Sequence, residues 1–407
     1  MTIDRTQRRL GLALTWYLVV VIVVVTLVPF GFEPPTGLRL VGFATVADVV
    51  QNIALFVPLG FVVAFAGRWQ PVLIGAGLSL SVELLQQLLP ARSPSLIDLV
   101  TNTLGAGLGG LVYQAIRRTL MRSSRVGVLA LDLPLMGLVY LTIPLLWLSG
   151  LGHDGDPVRR WLLGLVGLGV AVILASVARH HLVPRGVPKV VVALFGGLLF
   201  AVGLAPGWFL EPTFLISCSL SVALGVLLLG EYLTRAEPDG RRYEVPTVRR
   251  ALVPLTVYLL CVALWPVVDL AATWQGGVLP SRPVRELGNA GILQLLELMA
   301  VCSVIGYATA EILSRAADRA PIGRVGALTS SAAAGGVLIG LRGFSPGYGA
   351  SLIEGLLLGF AVWIGALLFW RQRAYVLALL GKADPHRVAG QHEWANVSLT
   401  ARRSEAG

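Results

Sequence analysis

About twelve stretches of near twenty apolar residues run along this 407-residue chain, and they limit its possible folds more than any motif in it. They fall near residues 10–30, 48–67, 72–89, 96–116, 126–148, 161–178, 190–210, 213–233, 251–273, 290–313, 325–341 and 349–370. Twenty residues of α-helix span about 30 Å of hydrocarbon, and in lipid every backbone N–H and C=O needs a partner within its own segment. The chain therefore reads as an all-α polytopic membrane protein with about twelve transmembrane helices. Only 13% of its residues are charged, against the ~25% with which a soluble domain clothes its surface.

Net charge is +10. In a soluble protein that excess would point to nucleic acid; here it is an orientation signal, and no nucleic-acid partner is expected. Counting on alternate sides of the spans, 25 of the 32 Lys and Arg fall on the side of the N-terminus and 7 on the other. Both termini are thus predicted cytoplasmic. The first span is expected to be an uncleaved anchor, because Pro29-Phe30-Gly31-Phe32 follows it rather than a small-x-small cleavage site. Cys218, Cys261 and Cys302 lie within apolar runs without metal-ligand spacing, and no two of the five histidines form an H-x-x-x-H pair. No metal site and no cofactor is expected.

A repeat is visible beneath the hydropathy. Arg8 to Leu18 lies over Arg249 to Leu259 without a gap, both opening with a basic pair and then a span carrying L-T-x-Y-L. Each is followed by a long loop, a span, a short basic loop, a span, a tight turn with Ser93-Pro94 or Ser345-Pro346, and a fourth span. The middle of the chain keeps this rhythm more faintly. Three parallel four-helix units are predicted at 1–124, 125–248 and 249–372, with a cytoplasmic tail at 373–407. Laying one Ser-Pro turn on the other sets Gly335 opposite Glu83, Ala350 opposite Asp98 and Glu354 opposite Asn102.

Polar residues gather in the first unit. Asp48 and Asn52, Glu83 and Gln86 or Gln87, and Asp98 and Asn102 are three or four apart, so each set shares a helix face. The orientation puts Asn52, Glu83 and Asn102 roughly 6–11 Å below the external boundary, with Arg92 in the turn above them. A lone acid at mid-membrane costs about 2.5–3.5 kcal/mol, so Glu83 should face the bundle with a partner. Arg92 suits an anionic group, because a guanidinium grips a carboxylate or phosphate through two parallel hydrogen bonds. Gly105 and Gly109 form a G-x-x-x-G pair for close helix contact. Interhelical polar glue is the plainer use of these residues. A second site from Glu297, Glu354 and Arg342 is conceivable, whereas Asp132, Glu231, Asp269 and Glu311 are expected to be solvated at span ends.

The first unit resembles the VanZ-like family, membrane proteins named for an accessory factor in teicoplanin resistance. The residues that carry the likeness are Asp48-x-x-x-Asn52-x-x-x-Phe56-x-Pro58-Leu59-Gly60-Phe61, Ser81-x-Glu83-x-x-Gln86, and Arg92 followed by Asp98-x-x-x-Asn102-x-x-Gly105, within residues 1 to about 120. That resemblance implies an integral protein of the bacterial cytoplasmic membrane linked to antibiotic response at the cell envelope, with no established reaction. The expected activity is non-enzymatic: an outward-facing pocket of Asp48, Asn52, Glu83, Gln86, Gln87, Arg92, Asp98 and Asn102 that binds the headgroup of a membrane lipid or lipid-linked cell-wall precursor. A proton-coupled transporter or flippase is the alternative, and an intramembrane hydrolase or transferase the next, although no nucleophile elbow, H-E-x-x-H or histidine accompanies the acids.

Overall fold

The computed structural model describes residues 3–27, 32–34, 45–90, 94–121, 141–149, 159–183, 186–204, 212–236, 244–265, 273–278, 288–316, 320–344 and 350–383. Nearly all are helical: α1 Ile3–Leu27, α2 Val46–Val63, α3 Gln70–Gln86, α4 Leu96–Met121, α5 at 141–149, α6 Leu163–Val177, α7 Lys189–Leu204, α8 Pro212–Ala236, α9 Glu244–Ala263, α10 Gly288–Ala316, α11 Ala320–Arg342 and α12 Leu352–Ala383. Two short strands, β1 (Gly276–Gly277) and β2 (Ala350–Ser351), pair in parallel. Among the described residues, seven helices are long and apolar enough to cross a membrane, and the apolar parts of α2, α7 and α11 are shorter. Apolar side chains such as Leu73, Leu84, Leu108, Leu198 and Leu356 are exposed along the helices, as a surface solvated by acyl chains requires.

Packing in the first four helices depends on the glycines of α2 and α4. A Cβ at Gly105 would come within 2.5 Å of the Ile53 carbonyl oxygen, and one at Gly109 or Gly60 would overlap the backbone of Val57 or Ala106. The G-x-x-x-G expectation is met: α2 and α4 run in the same direction with their backbones in contact. In contrast α3 runs the other way, so that Ser79 faces Asn102, Gly75 faces Ala106 and Pro71 faces Gly110. Phe56, Leu59, Leu18 and Ile22 form the core between α1 and α2, and Trp147 of α5 closes it.

The last four helices pack in the same pairs. Gly306 of α10 meets the Val362 backbone as Gly60 meets Ala106, and Gly365 of α12 meets Ser303 as Gly109 meets Val57. Outside the helices, the Glu33 N–H donates to Leu88 O at 2.7 Å and the Gln275 N–H to Gly343 O at 2.8 Å. These contacts set a register different from the Ser-Pro alignment. Gly109 with Gly365 and Ala106 with Val362 put Glu354 at the place of Asp98, and Ser351 at that of Ser95, rather than Glu354 opposite Asn102 and Ala350 opposite Asp98. The cause is physical: backbone contact between glycine faces fixes helix register, whereas a turn between helices can change length freely.

Two further expectations fail. Glu311 is fully buried, not solvated, because α12 packs alongside α10. Glu297 does not share a site with Glu354 and Arg342. It instead accepts hydrogen bonds from Arg159, Tyr258 and Ser149, while Arg342 and Glu354 form their own buried pair at 3.2 Å. Asp132 and Asp269 and the side chain of Glu231 lie outside the described residues.

Candidate polar site at one end of the first four helices

Asp48, Asn52, Glu83 and Asp98 are brought to one end of the bundle by three helices. Asp98 opens α4, Asn52 lies in the second turn of α2, and Glu83 lies one turn before the end of α3. Asn52 donates a side-chain hydrogen bond to the Asp98 carboxylate, and the Asp48 and Glu83 carboxylates are both near enough to repel it. Glu83 accepts from the Ser95 backbone N–H at 2.8 Å, which ties the end of α3 to the start of α4. Ser95 also caps α4, its hydroxyl accepting from the Ile97 N–H at 3.1 Å. Among the described residues no lysine or arginine forms an ion pair with Glu83 or Asp98.

Burial deepens along the site. Asp48 is exposed, Asn52 and Asp98 are half-buried, and Glu83 and Asn102 are buried. The polar path thus enters from the end of the bundle and runs down between α2, α3 and α4. At its bottom the Asn102 amide donates to Ser79 Oγ at 2.9 Å, and its Oδ1 is buried without a hydrogen-bond donor. Such an acceptor is costly to leave empty, which marks Asn102 as a place where a donor can be received.

Other members of the expected set are used differently. Asp48 folds back on its own helix: its carboxylate accepts from the Thr45 N–H at 2.8 Å and the Thr45 hydroxyl at 2.7 Å, and Thr45 accepts in turn from the Asp48 N–H. This capping box should make Thr45→Ala cost about 1 kcal/mol in thermal unfolding. The Gln86 amide donates to the Thr26 carbonyl of α1 at 3.1 Å, a link between helices rather than a free pocket group. Gln87 is half-buried in the turn after α3. Arg92 lies outside the described residues. Ser79 and Ser95 complete the polar path and were missed in the sequence, where lone serines in apolar runs carry no signal; the Ser95 cap could have been read from its position before α4.

Chemically the site can receive hydrogen-bond donors or a cationic group at Glu83 and Asp98, with Asn52 and Asn102 adding amide contacts. On the lipid-facing side of the same two helices an apolar groove of about 440 Å³ runs past Leu80, Leu99, Val100 and Leu104. Residues 15–117 match the VanZ/LLP1 family model. Neither curated proteins nor solved structures yield a match to the chain. The VanZ/LLP1 segment runs from the middle of α1 into the last turns of α4, so it contains every residue of the polar path. It ends before α5, and the eight later helices lie outside it.

Proposed function

We propose that this protein is a VanZ-like component of the bacterial cytoplasmic membrane that binds the headgroup of a lipid or lipid-linked cell-wall precursor and thereby takes part in glycopeptide-antibiotic response. All twelve helices cross the membrane in this reading, with both termini cytoplasmic and the polar path open to the outside. Units 1–124, 125–248 and 249–372 are copies of one four-helix plan, with 373–407 as a cytoplasmic tail. Recurrence of the glycine contacts and of the loop hydrogen bond in α9–α12 supports that plan.

One observation carries the reading: Glu83, Asp98 and Asn52, borne on three helices, converge at increasing depth with the unfilled Asn102 acceptor below them. Packing glue would need paired groups only. Two carboxylates held near each other, with an apolar groove beside them, suit a headgroup bearing hydroxyl, amide or ammonium donors and an attached acyl chain. Arg92 supplies the contact to an anionic part of that headgroup, and Gln87, in the turn after α3, adds an amide.

Purified protein carrying Glu83→Gln with Asp98→Asn should retain lipid-linked precursor about tenfold or more less tightly in native mass spectrometry, since bonds to charged groups are worth about 1.5–3 kcal/mol. Arg92→Ala should act in the same direction. Cells bearing these variants should lose any protection against teicoplanin at equal protein level. Unchanged retention and unchanged susceptibility would remove the polar path from the working parts of the protein.

A further inference from the structure

A second, unrelated site lies at the opposite end of the bundle. There α6 passes into a π-helical turn, Ala178–Leu182, before the chain reverses through Gly186 (φ +82°) and restarts as α7 at Lys189. The reversal is held by the Gly186 N–H on Val183 O at 3.0 Å and the Val187 N–H on Leu182 O at 3.1 Å. Gly186 is required in this left-handed backbone conformation. Wider π turns are uncommon and shift the side chains that follow them around the helix axis.

The outcome is that Arg179, from the π turn, and Lys189, from the first turn of α7, line one interhelical cavity of about 360 Å³. Its walls are Ala175 of α6, Ala178 of the π turn, Val183 just after it, and Val226 and Gly230 of α8. The start of α7 adds the positive end of a helix dipole. Nothing lies within 4 Å of a Cβ built on Gly230, so that wall is open space. Ser176 of α6 bonds Thr247 of α9 at 2.6 Å, which places this end beside the start of α9 and its basic pair Arg249 and Arg250. Arg179 is half-buried and Lys189 exposed, so a guanidinium and an ammonium border a recess whose other walls are small and apolar.

We propose that this cavity binds the phosphate of an anionic phospholipid from the leaflet at that end, with Arg179 and Lys189 gripping the phosphate and the alanine and valine walls receiving the glycerol end of the acyl chains. Basic recesses between membrane helices recognise phosphate headgroups by this combination of charge and shape. The site does not depend on the headgroup reading given above for the other end.

The test uses the full chain in nanodiscs of phosphatidylglycerol mixed with phosphatidylcholine, followed by release into detergent and native mass spectrometry. Parent protein should carry phosphatidylglycerol in excess of its share of the bilayer. Arg179→Gln with Lys189→Gln should lower that excess about tenfold or more, and Arg179→Lys should keep most of it. Gly230→Leu keeps both cations but fills the recess, so it should also expel the lipid; diffuse surface attraction would survive it. Retention unchanged in both the double variant and Gly230→Leu overturns the site. Displacement of the lipid by millimolar inorganic phosphate, with none by added phosphatidylcholine, keeps the phosphate contact and overturns the lipid assignment.

Discussion

Gly109→Leu should leave little folded protein. Its side chain would have to occupy the space held by the Val57 carbonyl and the Phe61 backbone, and backbone cannot rotate aside as a side chain can. Overpacking of ordinary cores costs about 1–3 kcal/mol, and separating two helices that touch along their backbones lies at or above the top of that range. The measurement is monodisperse yield and melting temperature in detergent. Gly77→Leu on α3 is the matched control, since nothing lies within 4 Å of its Cβ, and it should melt with the parent. Equal melting of the Gly109 and Gly77 variants would show that α2 and α4 do not depend on their close approach.

Arg159→Leu is the second large effect. Glu297 is fully buried and receives Arg159, Tyr258 and Ser149 from three different segments, so removing the guanidinium leaves an uncompensated carboxylate in an apolar interior. Breaking one partner of a buried ion pair costs about 3–5 kcal/mol. Adding Glu297→Gln should recover more than half of the lost stability, because the amide oxygen still accepts from Tyr258 while the charge is gone. Thermal unfolding of parent, single and double variants completes the comparison. A double variant no more stable than Arg159→Leu alone would mean that lost packing around the arginine stem, not the stranded charge, sets the cost.

The Arg159–Glu297 pair also shows why part of this protein could not be read from its sequence. Residues 138 positions apart meet there, and neither has a local pattern that names its partner; Glu297 reads as well with Arg342 as with Arg159. Pairing within the first unit was more legible, because i and i+4 spacing fixed which residues shared a face and the alternation of spans fixed which ends came together. Thus Asn52, Glu83 and Asp98 meet as their spacing implies. What spacing does not tell is where each hydrogen bond goes: the Asp48 carboxylate turns to Thr45, Gln86 to the α1 backbone and Asn102 to Ser79.

Unbroken apolar runs of about twenty residues determined that this chain is a set of long helices, since a helix satisfies its backbone within one such segment whereas a membrane barrel needs short strands of alternating polarity. Its glycine spacing in α4 determined which helix face could come close to another. The tertiary structure alone decided the register of α12 against α10, the burial of Glu311, the partner of Glu297 and the recess shared by Arg179 and Lys189. Hydropathy acts within one segment and is written in its composition. A contact between segments depends on the direction, depth and rotation of two helices at once, and those are settled only when all of them pack.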